Sequence, residues 1–327
     1  MARRHHMFEP GSRVVVAVSG GPDSICLLHS LVRVRRLMKI EPLCFHFDHR
    51  LRPGSERDAA YVRGHAERLG VEFLLRVAES RPRKGESKEA WARTVRYEAL
   101  FRAVEDTGSS AGAVGHTADD QAETVLLALV RGGGLEALTG MEPVSPTVVR
   151  PLLETTRAET EAFCRALHLR PRRDPMNEDP AYLRAALRHE VIPVLERRLN
   201  RNLKPALIRV ASHLRADALL LRRLAEEAAA EIVEDSGEAE DRRLRAEVLL
   251  RTPAPLAARV VRAALLDLGV VPEAAHVQAV LGLAGRGRGS RADLPGGLIA
   301  RRDGEYVRLL RPSPRGRSAG PRPDGDR

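Results

Sequence analysis

Aromatic side chains are scarce in this sequence, at 3% of its 327 residues. Proteins that bind single-stranded nucleic acid usually stack successive bases on aromatic rings, so this composition argues against that class. No uncharged apolar run approaches the roughly 20 residues that a membrane-spanning helix needs. The amino-terminal residues also lack the apolar stretch of a secretory signal. We therefore expect a soluble, globular protein of the cytoplasm with no membrane partner.

Cysteine is also rare, and its three copies are Cys26, Cys44 and Cys164. They are odd in number, widely spaced and contain no Cys-x-x-Cys pair. Neither a disulfide framework nor a four-thiolate metal site can be built from them within one chain. We expect all three to act as small buried apolar residues.

Lysine is scarce as well. Of the 54 basic residues only four are lysines, namely Lys39, Lys84, Lys88 and Lys204. The positive charge is therefore almost wholly arginine, which forks onto phosphate oxygens and stacks on bases. Against 44 acidic residues the net charge is +10, which favours a polyanionic partner such as nucleic acid. A genome biased toward arginine codons explains the same composition equally well. If RNA is the partner, phosphate contacts and shape must dominate its recognition.

The length favours two domains, and the first shows strands alternating with helices. The predicted strands cover residues 14–18, 43–47, 71–77 and 113–114. Such alternation predicts parallel pairing through right-handed crossovers, and hence an α/β fold with a doubly wound parallel sheet. Ligands of such sheets bind at the carboxyl ends of the strands, so the chemistry should follow each strand directly.

After residue 151 the pattern is mostly helical. Helices are predicted over residues 156–167, 182–198, 203–233, 246–268 and 273–283, and a hairpin over 298–302 and 306–310. An acid-rich stretch at 226–241 predicts a surface connector or a solvated helix end. We predict four parts: a catalytic domain at 1–195, a helical domain with its acidic connector at 196–240, a small α+β region at 241–310, and a disordered tail at 311–327.

The most informative motif follows the first strand and opens a helix. It consists of Ser19, Gly20, Gly21, Pro22, Asp23 and Ser24. Glycines in this position let backbone amides approach an anion at the positive end of the helix, which predicts phosphate binding rather than an ordinary turn. It is not a Walker loop, because no lysine lies between Ser19 and Lys39. The motif resembles the pyrophosphate loop of the ATP pyrophosphatases, which cleave ATP between its α and β phosphates.

A second motif ends the second predicted strand, where His46 and Asp48 alternate onto one face at the carboxyl edge. Both side chains could therefore point at a bound nucleotide, although a lone histidine at a strand end is usually structural. The string continues through His49, Arg50 and Arg52. It resembles the tRNA(Ile)-lysidine synthetase family rather than the synthetases of free nucleotides.

A third motif places Arg93, Arg96 and Tyr97 on one helical face. Spacing alone favours a solvated basic face. The string also resembles the Ala-Arg-x-x-Arg-Tyr segment of the lysidine synthetase family, which favours contact with a phosphate or a base.

The fourth motif follows the fourth predicted strand and contains His116, Asp119, Asp120 and Glu123. Acids in the first turn of a helix complement its dipole, which explains Asp119 and Asp120 structurally but does not explain Glu123. Asp120 and Glu123 share a face, so together they can hold an ammonium group or Mg²⁺. The string, continued through residues 131–153, closely resembles the lysidine synthetase family.

Further along, residues 174–179 and the arginines Arg184 and Arg188 resemble that family's Asn/Asp-rich loop and the helix after it. The match weakens here, because Ala185 stands where the family usually has Asn and Met176 where it has Ser or Thr. The resemblance is strong over residues 13–195 and only compositional from there to 310.

The resemblance implies a ligase that adenylates the carbonyl oxygen on carbon 2 of the wobble cytidine of tRNA(Ile) with a CAU anticodon and then joins free lysine to that carbon. ATP is the co-substrate, Mg²⁺ the metal, and tRNA(Ile) and lysine the partners; a homodimer is left open. Phosphate contacts are expected from the loop, with His46 and Asp48 beside the nucleotide. The catalytic residues are expected to be Asp23, Arg93, His116, Asp120 and Glu123. Asp23 and Asp120 are the metal candidates, and Arg96, Arg184 and Arg188 are expected to meet tRNA or phosphate.

Two alternatives stay open at this point. A tRNA cytidine thiolase carries the same loop, but it normally needs paired catalytic thiols or an iron-sulfur site, which three scattered cysteines do not supply. A non-catalytic RNA-binding relative would have no need of the intact loop or of the carboxylate pair.

Overall fold

The computed structural model describes residues 1–51, 54–172, 183–234 and 241–311. It divides into two compact units, Met1–Arg215 and Ala216–Arg327. No helix in the described ranges is long and apolar enough to cross a membrane. The predicted tail beyond residue 311 lies outside the described residues, and the four predicted domain ranges stay a prediction.

The first unit contains a parallel sheet in the order β3-β2-β1-β4-β5. Its strands are β1 (Arg13–Ala17), β2 (Glu41–Asp48), β3 (Phe73–Val77), β4 (Ala111–Ala113) and β5 (Val148–Val149). The chain moves outward from β1 to β3 and then returns to the other side of β1 with β4. The neighbours β1 and β4 therefore form the switch point, where the loops at the carboxyl ends diverge and leave a crevice.

The helices of the first unit are α1 (Pro22–Met38), α2 (Glu56–Leu69), α3 (Lys88–Asp106), α4 (Ala118–Val130), α5 (Leu135–Leu138), α6 (Arg157–Ala166), α7 (Leu183–Ala186), α8 (Ile192–Arg198) and the first part of α9 (Leu203–Ile232). Helices α1, α2 and α6 pack on one face of the sheet, and α3 packs on the other. Alternate residues of β1 enter separate cores: Val14 and Val16 pack with α1, α2 and α6, whereas Val15 packs with Leu100 of α3. This alternation follows from the two-residue period of a strand and confirms the predicted doubly wound sheet.

The predicted helix over residues 182–198 is confirmed over its described residues, because the chain is helical from Leu183 to Arg198. It is not α-helical throughout, since a π-helical turn at Leu187–Val191 lies between α7 and α8. Tyr182 and residues 174–179 lie outside the described residues. Strand β5 was not predicted, because two residues are too few to show a period.

In its described residues the second unit combines the second part of α9 and three further α-helices with an antiparallel sheet in the order β6-β7-β10-β9-β8. Its elements after α9 are β6 (Val233–Glu234), β7 (Asp241–Arg245), α10 (Ala246–Arg251), α11 (Ala254–Asp267), α12 (Ala274–Ala284), β8 (Arg291–Asp293), β9 (Ile299–Asp303) and β10 (Tyr306–Leu310). The inner face of the sheet buries Leu244, Val307 and Leu309 with Val261 of α11 and Val280 of α12. This arrangement confirms the predicted small α+β region and its hairpin.

One predicted helix, residues 246–268, is wrong because it is two helices. Thr252 has extended backbone angles and Pro253 caps α11. A residue before proline is pushed out of the helical region by the proline ring, which explains the break.

Candidate active site

The glycine-rich loop turns the chain from β1 into α1. Gly20 has a φ of +95°, which favours glycine, and Gly21 caps α1 without any side-chain hydrogen bond. The Ser24 hydroxyl oxygen accepts hydrogen bonds from the backbone amides of Ser19 and Gly20, each at 3.2 Å. Amides at a helix start without other partners form a natural anion site, so the loop has the geometry for holding phosphate oxygens.

The loop after β4 packs directly against this turn. A Cβ atom built on Gly115 would lie 3.2 Å from backbone atoms of Asp23 and Ser24. That distance is tighter than nearly all real Cβ contacts. Glycine at this position therefore lets the start of α4 reach the start of α1, as the switch point predicts.

Asp120 makes a capping contact with one carboxylate oxygen and two ion pairs with the other. Its Oδ2 atom accepts hydrogen bonds from the amide and the hydroxyl of Thr117, each at 2.8 Å, which forms a capping box on α4. Its Oδ1 atom lies 3.4 Å from Arg157 and 3.5 Å from Arg188. Although burial raises the pKa of Asp120, the charges of Arg157 and the contacts of Thr117 hold that pKa below its usual value.

Glu123 lies one turn further along α4 and is 1% exposed as a side chain. Arg188 holds it with two hydrogen bonds, Nε to Oε1 at 2.7 Å and Nη2 to Oε2 at 2.9 Å. Burial nevertheless raises the pKa of Glu123, and Arg188 offsets part of this rise. The carboxylate pair therefore already faces a cation.

Asp23, in the first turn of α1, belongs to the same network. Its carboxylate accepts a hydrogen bond from the Thr160 hydroxyl and lies 3.4 Å from Nε of Arg157. Burial raises the pKa of Asp23. Arg157 therefore bridges Asp23 and Asp120, and it also donates its backbone amide to Asp119 at 2.8 Å.

Sequence reasoning missed Arg157, Thr160 and Lys204, whose Nζ atom lies 2.8 Å from Asp119. The Thr156-x-x-Glu159 capping box that starts α6 is readable in the sequence. It could have located the beginning of the helix, but nothing in it indicates contact with α1 and α4.

His116 lies in the loop between β4 and α4, and its buried Nδ1 atom has no hydrogen-bond partner among the described residues. Burial lowers the pKa of His116 to about 3, with further lowering from Arg150, Arg96 and Arg93. The imidazole is therefore neutral at neutral pH and a poor proton acceptor.

Two arginines of α3 lie close to the ring of one tyrosine. The guanidinium carbons of Arg93 and Arg96 lie 5.0 and 5.8 Å from the centre of the Tyr97 ring. Burial lowers the pKa of Arg96. Arg184, also predicted to bind tRNA or phosphate, lies 3.7 Å from Glu89.

His46 and Asp48 occupy the carboxyl end of β2, as predicted, but both have local partners. His46 Nδ1 donates to the Val18 carbonyl at 2.7 Å, and Asp48 accepts from the amide of Arg50 at 2.9 Å. Burial lowers the pKa of His46, so it is neutral. Their contact with nucleotide stays a prediction, and Arg52 lies outside the described residues.

Comparison with known proteins places this network in a family. Residues 2–195 match the PP-loop domain, and residues 244–306 match the TilS substrate binding domain. A tRNA(Ile)-lysidine synthase of Nostoc sp. is 36% identical over 324 residues, covering 94% of each chain. The chain belongs to the tRNA(Ile)-lysidine synthase family. Other lysidine synthases are longer: that of Thermus thermophilus is 41% identical over 309 residues, which are 94% of this chain but 58% of the relative.

The PP-loop match contains every site residue predicted from the sequence, from Ser19 to Arg188. Among solved structures, the U34-tRNA thiolase NcsA from Methanococcus maripaludis superimposes with a TM-score of 0.53 at 16% identity, covering 63% of this chain and 73% of that one. At this identity the likeness concerns the fold alone. The carboxylates and arginines described above thus lie on a fold that this thiolase shares.

Proposed function

We propose that this chain joins lysine to carbon 2 of the wobble cytidine of tRNA(Ile) with a CAU anticodon, using ATP. The observation that carries the proposal is the contact between the phosphate loop and the carboxylates of α4, made through Gly115 and Arg157. A bound triphosphate and a bound ammonium group would meet at this point. Family membership supports the same reaction.

The first step forms a bond between the cytidine carbonyl oxygen and the α phosphorus of ATP, and it breaks the bond to the β phosphate. A pyrimidine carbonyl is a poor electrophile, and adenylation turns its oxygen into a leaving group. The loop from Ser19 to Ser24 holds the phosphates, whose oxygens replace the Ser24 hydroxyl as acceptors for the amides of Ser19 and Gly20.

In the second step a neutral amine of lysine attacks carbon 2, the bond from carbon 2 to the adenylated oxygen breaks, AMP leaves, and the nitrogen releases one proton to solvent. Asp120 and Glu123 seat an ammonium group of the substrate, which in this structure is represented by the guanidinium of Arg188. Because the pKa of His116 is lowered to about 3, this residue acts as a hydrogen-bonding group and not as the base. The protein works chiefly by positioning three substrates.

The residues present fit a magnesium ion that is held jointly with substrate. Within the described ranges no cluster of three or more acidic, histidine or cysteine side chains forms a complete metal site. Mg²⁺ is usually bound by one or two carboxylates together with phosphates and water. Asp23 belongs to the phosphate loop, and Asp120 shares Arg157 with it. These two carboxylates would hold the ion, which would neutralise charge developing on pyrophosphate.

The tRNA is bound chiefly through its backbone. The outer face of the second unit's sheet carries arginines in direct register across four strands, namely Arg291, Arg301, Arg308 and Arg243. Asp241 and Asp303 pair with members of this row and fix their orientation. Guanidinium groups held in this way suit the phosphates of a tRNA stem. In the first unit, Arg184 and Arg188 are the corresponding candidates.

A thiolase is less well supported. Cys26, Cys44 and Cys164 are all buried. Burial raises the pKa of Cys44 to about 12 and that of Cys164 to about 11, so neither forms a reactive thiolate.

The test uses the purified chain, an unmodified CAU tRNA(Ile) transcript and ATP labelled at the α phosphate. We expect AMP and pyrophosphate in equal amounts, with release of AMP dependent on both tRNA and lysine. A parallel reaction replaces lysine with a sulfur donor. Release of ADP and orthophosphate, or turnover with sulfur instead of lysine, would overturn the proposal.

A further inference from the structure

A short segment, residues 170–172, lies against the phosphate loop. The backbone amide of Arg172 donates a hydrogen bond to the carbonyl of Gly20, at 3.0 Å. The hydroxyl of Tyr61, on α2, donates to the carbonyl of Arg170 at 2.8 Å. Although this segment follows α6 in the chain, it is therefore bound both to the loop and to α2.

An ion pair fixes the position of segment 170–172. Nε of Arg172 pairs with Oδ1 of Asp58, in the first turn of α2. The Asp58 side chain is 12% exposed and that of Arg172 is 38% exposed. Salt screens a largely buried pair much less than an exposed one, so the contact persists under working conditions. Because Asp58 neutralises the guanidinium, Arg172 acts on the loop through its backbone amide and not through its charge.

The hydrogen bond to the Gly20 carbonyl sets the direction of the next amide. The peptide bond between Gly20 and Gly21 is trans, so its carbonyl and its N–H group point in opposite directions. Holding the carbonyl toward segment 170–172 turns the Gly21 amide to the other side of the loop. That amide lies at the start of α1 and has no hydrogen-bond partner in the described part of the chain. A free amide at a helix start is a group that binds anions.

The two glycines explain why the loop needs a contact from outside. Neither has a Cβ atom, so little within the loop prevents the peptide between them from turning over. The amide of Gly20 is fixed by Ser24 at 3.2 Å. Among the described residues the Gly20 carbonyl accepts a hydrogen bond from Arg172 alone. Losing that bond would free the Gly21 amide to point away from the anion.

We infer that Asp58 and Arg172 are positioning residues for the phosphate loop. Their ion pair holds segment 170–172 in place, and the amide of Arg172 then keeps the Gly21 amide directed at the phosphates of ATP. The inference rests on the proposed function for ATP as the ligand, but it concerns only how the loop is held. Coulomb attraction alone predicts the opposite effect, because removing a carboxylate from the neighbourhood of an anion site strengthens anion binding. The sign of the change therefore separates the two.

The test measures the Kd of the full-length protein for ATP with Mg²⁺ by titration calorimetry, without tRNA or lysine. Asp58→Asn removes one charge at nearly constant shape. The matched control, Glu161→Gln, removes a charge from an exposed ion pair with Arg165 on α6. We expect Asp58→Asn to raise the Kd about tenfold and Glu161→Gln to leave it within about twofold, since only the first misplaces a donor. Arg172→Lys can keep the ion pair and should stay within about threefold of the wild type.

Inorganic pyrophosphate, used as a competitor of ATP, locates the defect. Its inhibition constant should rise in Asp58→Asn by the same factor as the Kd for ATP. The double variant Asp58→Asn/Arg172→Gln should bind ATP no more weakly than Asp58→Asn, because both changes break one contact. The Kd is independent of the fraction of molecules that are folded, which affects only the stoichiometry.

Unchanged or tighter ATP binding by Asp58→Asn would overturn the inference. An unchanged inhibition constant for pyrophosphate would also overturn it, because the defect would then lie at the nucleoside, and so would an equal effect of Glu161→Gln. A wild type that binds ATP but forms no lysidine would overturn the proposed function and leave this inference standing.

Discussion

Arg188 grips Glu123 with two parallel hydrogen bonds, of 2.7 and 2.9 Å, where the substrate ammonium is expected to sit. Glu123 is almost wholly buried, so its negative charge is stable only beside a cation. In the free enzyme Arg188 is that cation. Lysine must then share or displace Arg188 when it binds.

Removing Arg188 should expose the cost of this buried charge. We expect Arg188→Met to lose about 3 kcal/mol of unfolding free energy near pH 8. The loss should be smaller near pH 5, because without Arg188 the raised pKa of Glu123 rises further and the folded state then prefers the protonated carboxyl. Urea unfolding at the two pH values measures this difference. The double variant Arg188→Met/Glu123→Gln should recover most of the stability, and failure to recover it would contradict the pairing.

Asp120 should be needed for turnover more than for folding. In Asp120→Asn the amide oxygen can still accept hydrogen bonds from Thr117, so the capping box survives, while the charge that faces Arg157 and the substrate is lost. We expect lysidine formation to fall at least about 100-fold, measured by transfer of labelled lysine to tRNA under single-turnover conditions.

The neighbouring Asp119→Asn variant is the matched control for Asp120→Asn. Asp119 accepts the backbone amide of Arg157 and pairs with Lys204. We expect this change to lower stability by about 1 kcal/mol and to leave most of the turnover intact. Full turnover in Asp120→Asn would remove this residue from the mechanism.

The close approach of Gly115 to the phosphate loop predicts a specific sensitivity to one methyl group. Gly115→Ala places a Cβ atom 3.2 Å from the backbone of Asp23 and Ser24, so the loop must shift by a few tenths of an ångström. We expect a KM for ATP raised about tenfold, since misplacement on this scale disturbs a positioned substrate. Gly64→Ala, in open space on α2, should leave ATP binding unchanged and stabilise the helix by up to about 1 kcal/mol. Equal KM values in the two variants would contradict the role of Gly115.

The sequence predicted the scaffold better than the site. The β-branched run of β1 and the glycine loop after it carry local signals, and parallel topology then forces the ends of β1 and β4 together. Arg157 and Thr160 reach Asp23 from 134 and 137 residues away. No local pattern marks such contacts, because they are created by the packing of α6 on α1. At His46 the strand-end motif predicted the position correctly but could not show the hydrogen bond to the Val18 carbonyl, and contact with a nucleotide stays a prediction.

The arginine row of the second unit should govern the salt dependence of tRNA binding. Arg291→Gln/Arg301→Gln removes two exposed charges from the row, and Arg251→Gln/Arg262→Gln removes two from exposed positions on α10 and α11. Each lost phosphate contact should reduce the slope of log K against log salt concentration by about 0.7 to 0.9. Filter binding between 50 and 200 mM salt, roughly the range over which such contacts are most apparent, measures the slope. Equal slopes in the two double variants would show that the tRNA responds to the overall positive charge of the second unit and not to the arginine row in particular.

His116 should make the folded state sensitive to mild acid. Its folded pKa is lowered to about 3, whereas in the unfolded chain it stays near the ordinary value of 6.5. Between these values the unfolded state binds the extra proton, so stability is fully present above about pH 6.5 and declines as the pH falls, by up to about 1.4 kcal/mol per pH unit from this group. His116→Asn has no such group, and its stability should therefore fall less steeply than that of the wild type between pH 6.5 and 5.

Urea unfolding across this range, with both proteins in the same buffers, measures the difference in slope. His29 and His65, whose pKa values burial lowers to about 4, contribute equally to both proteins and cancel in the comparison. Identical slopes would mean that His116 is protonated as easily in the folded protein as in the unfolded chain, and it would then be available as a proton carrier in the reaction.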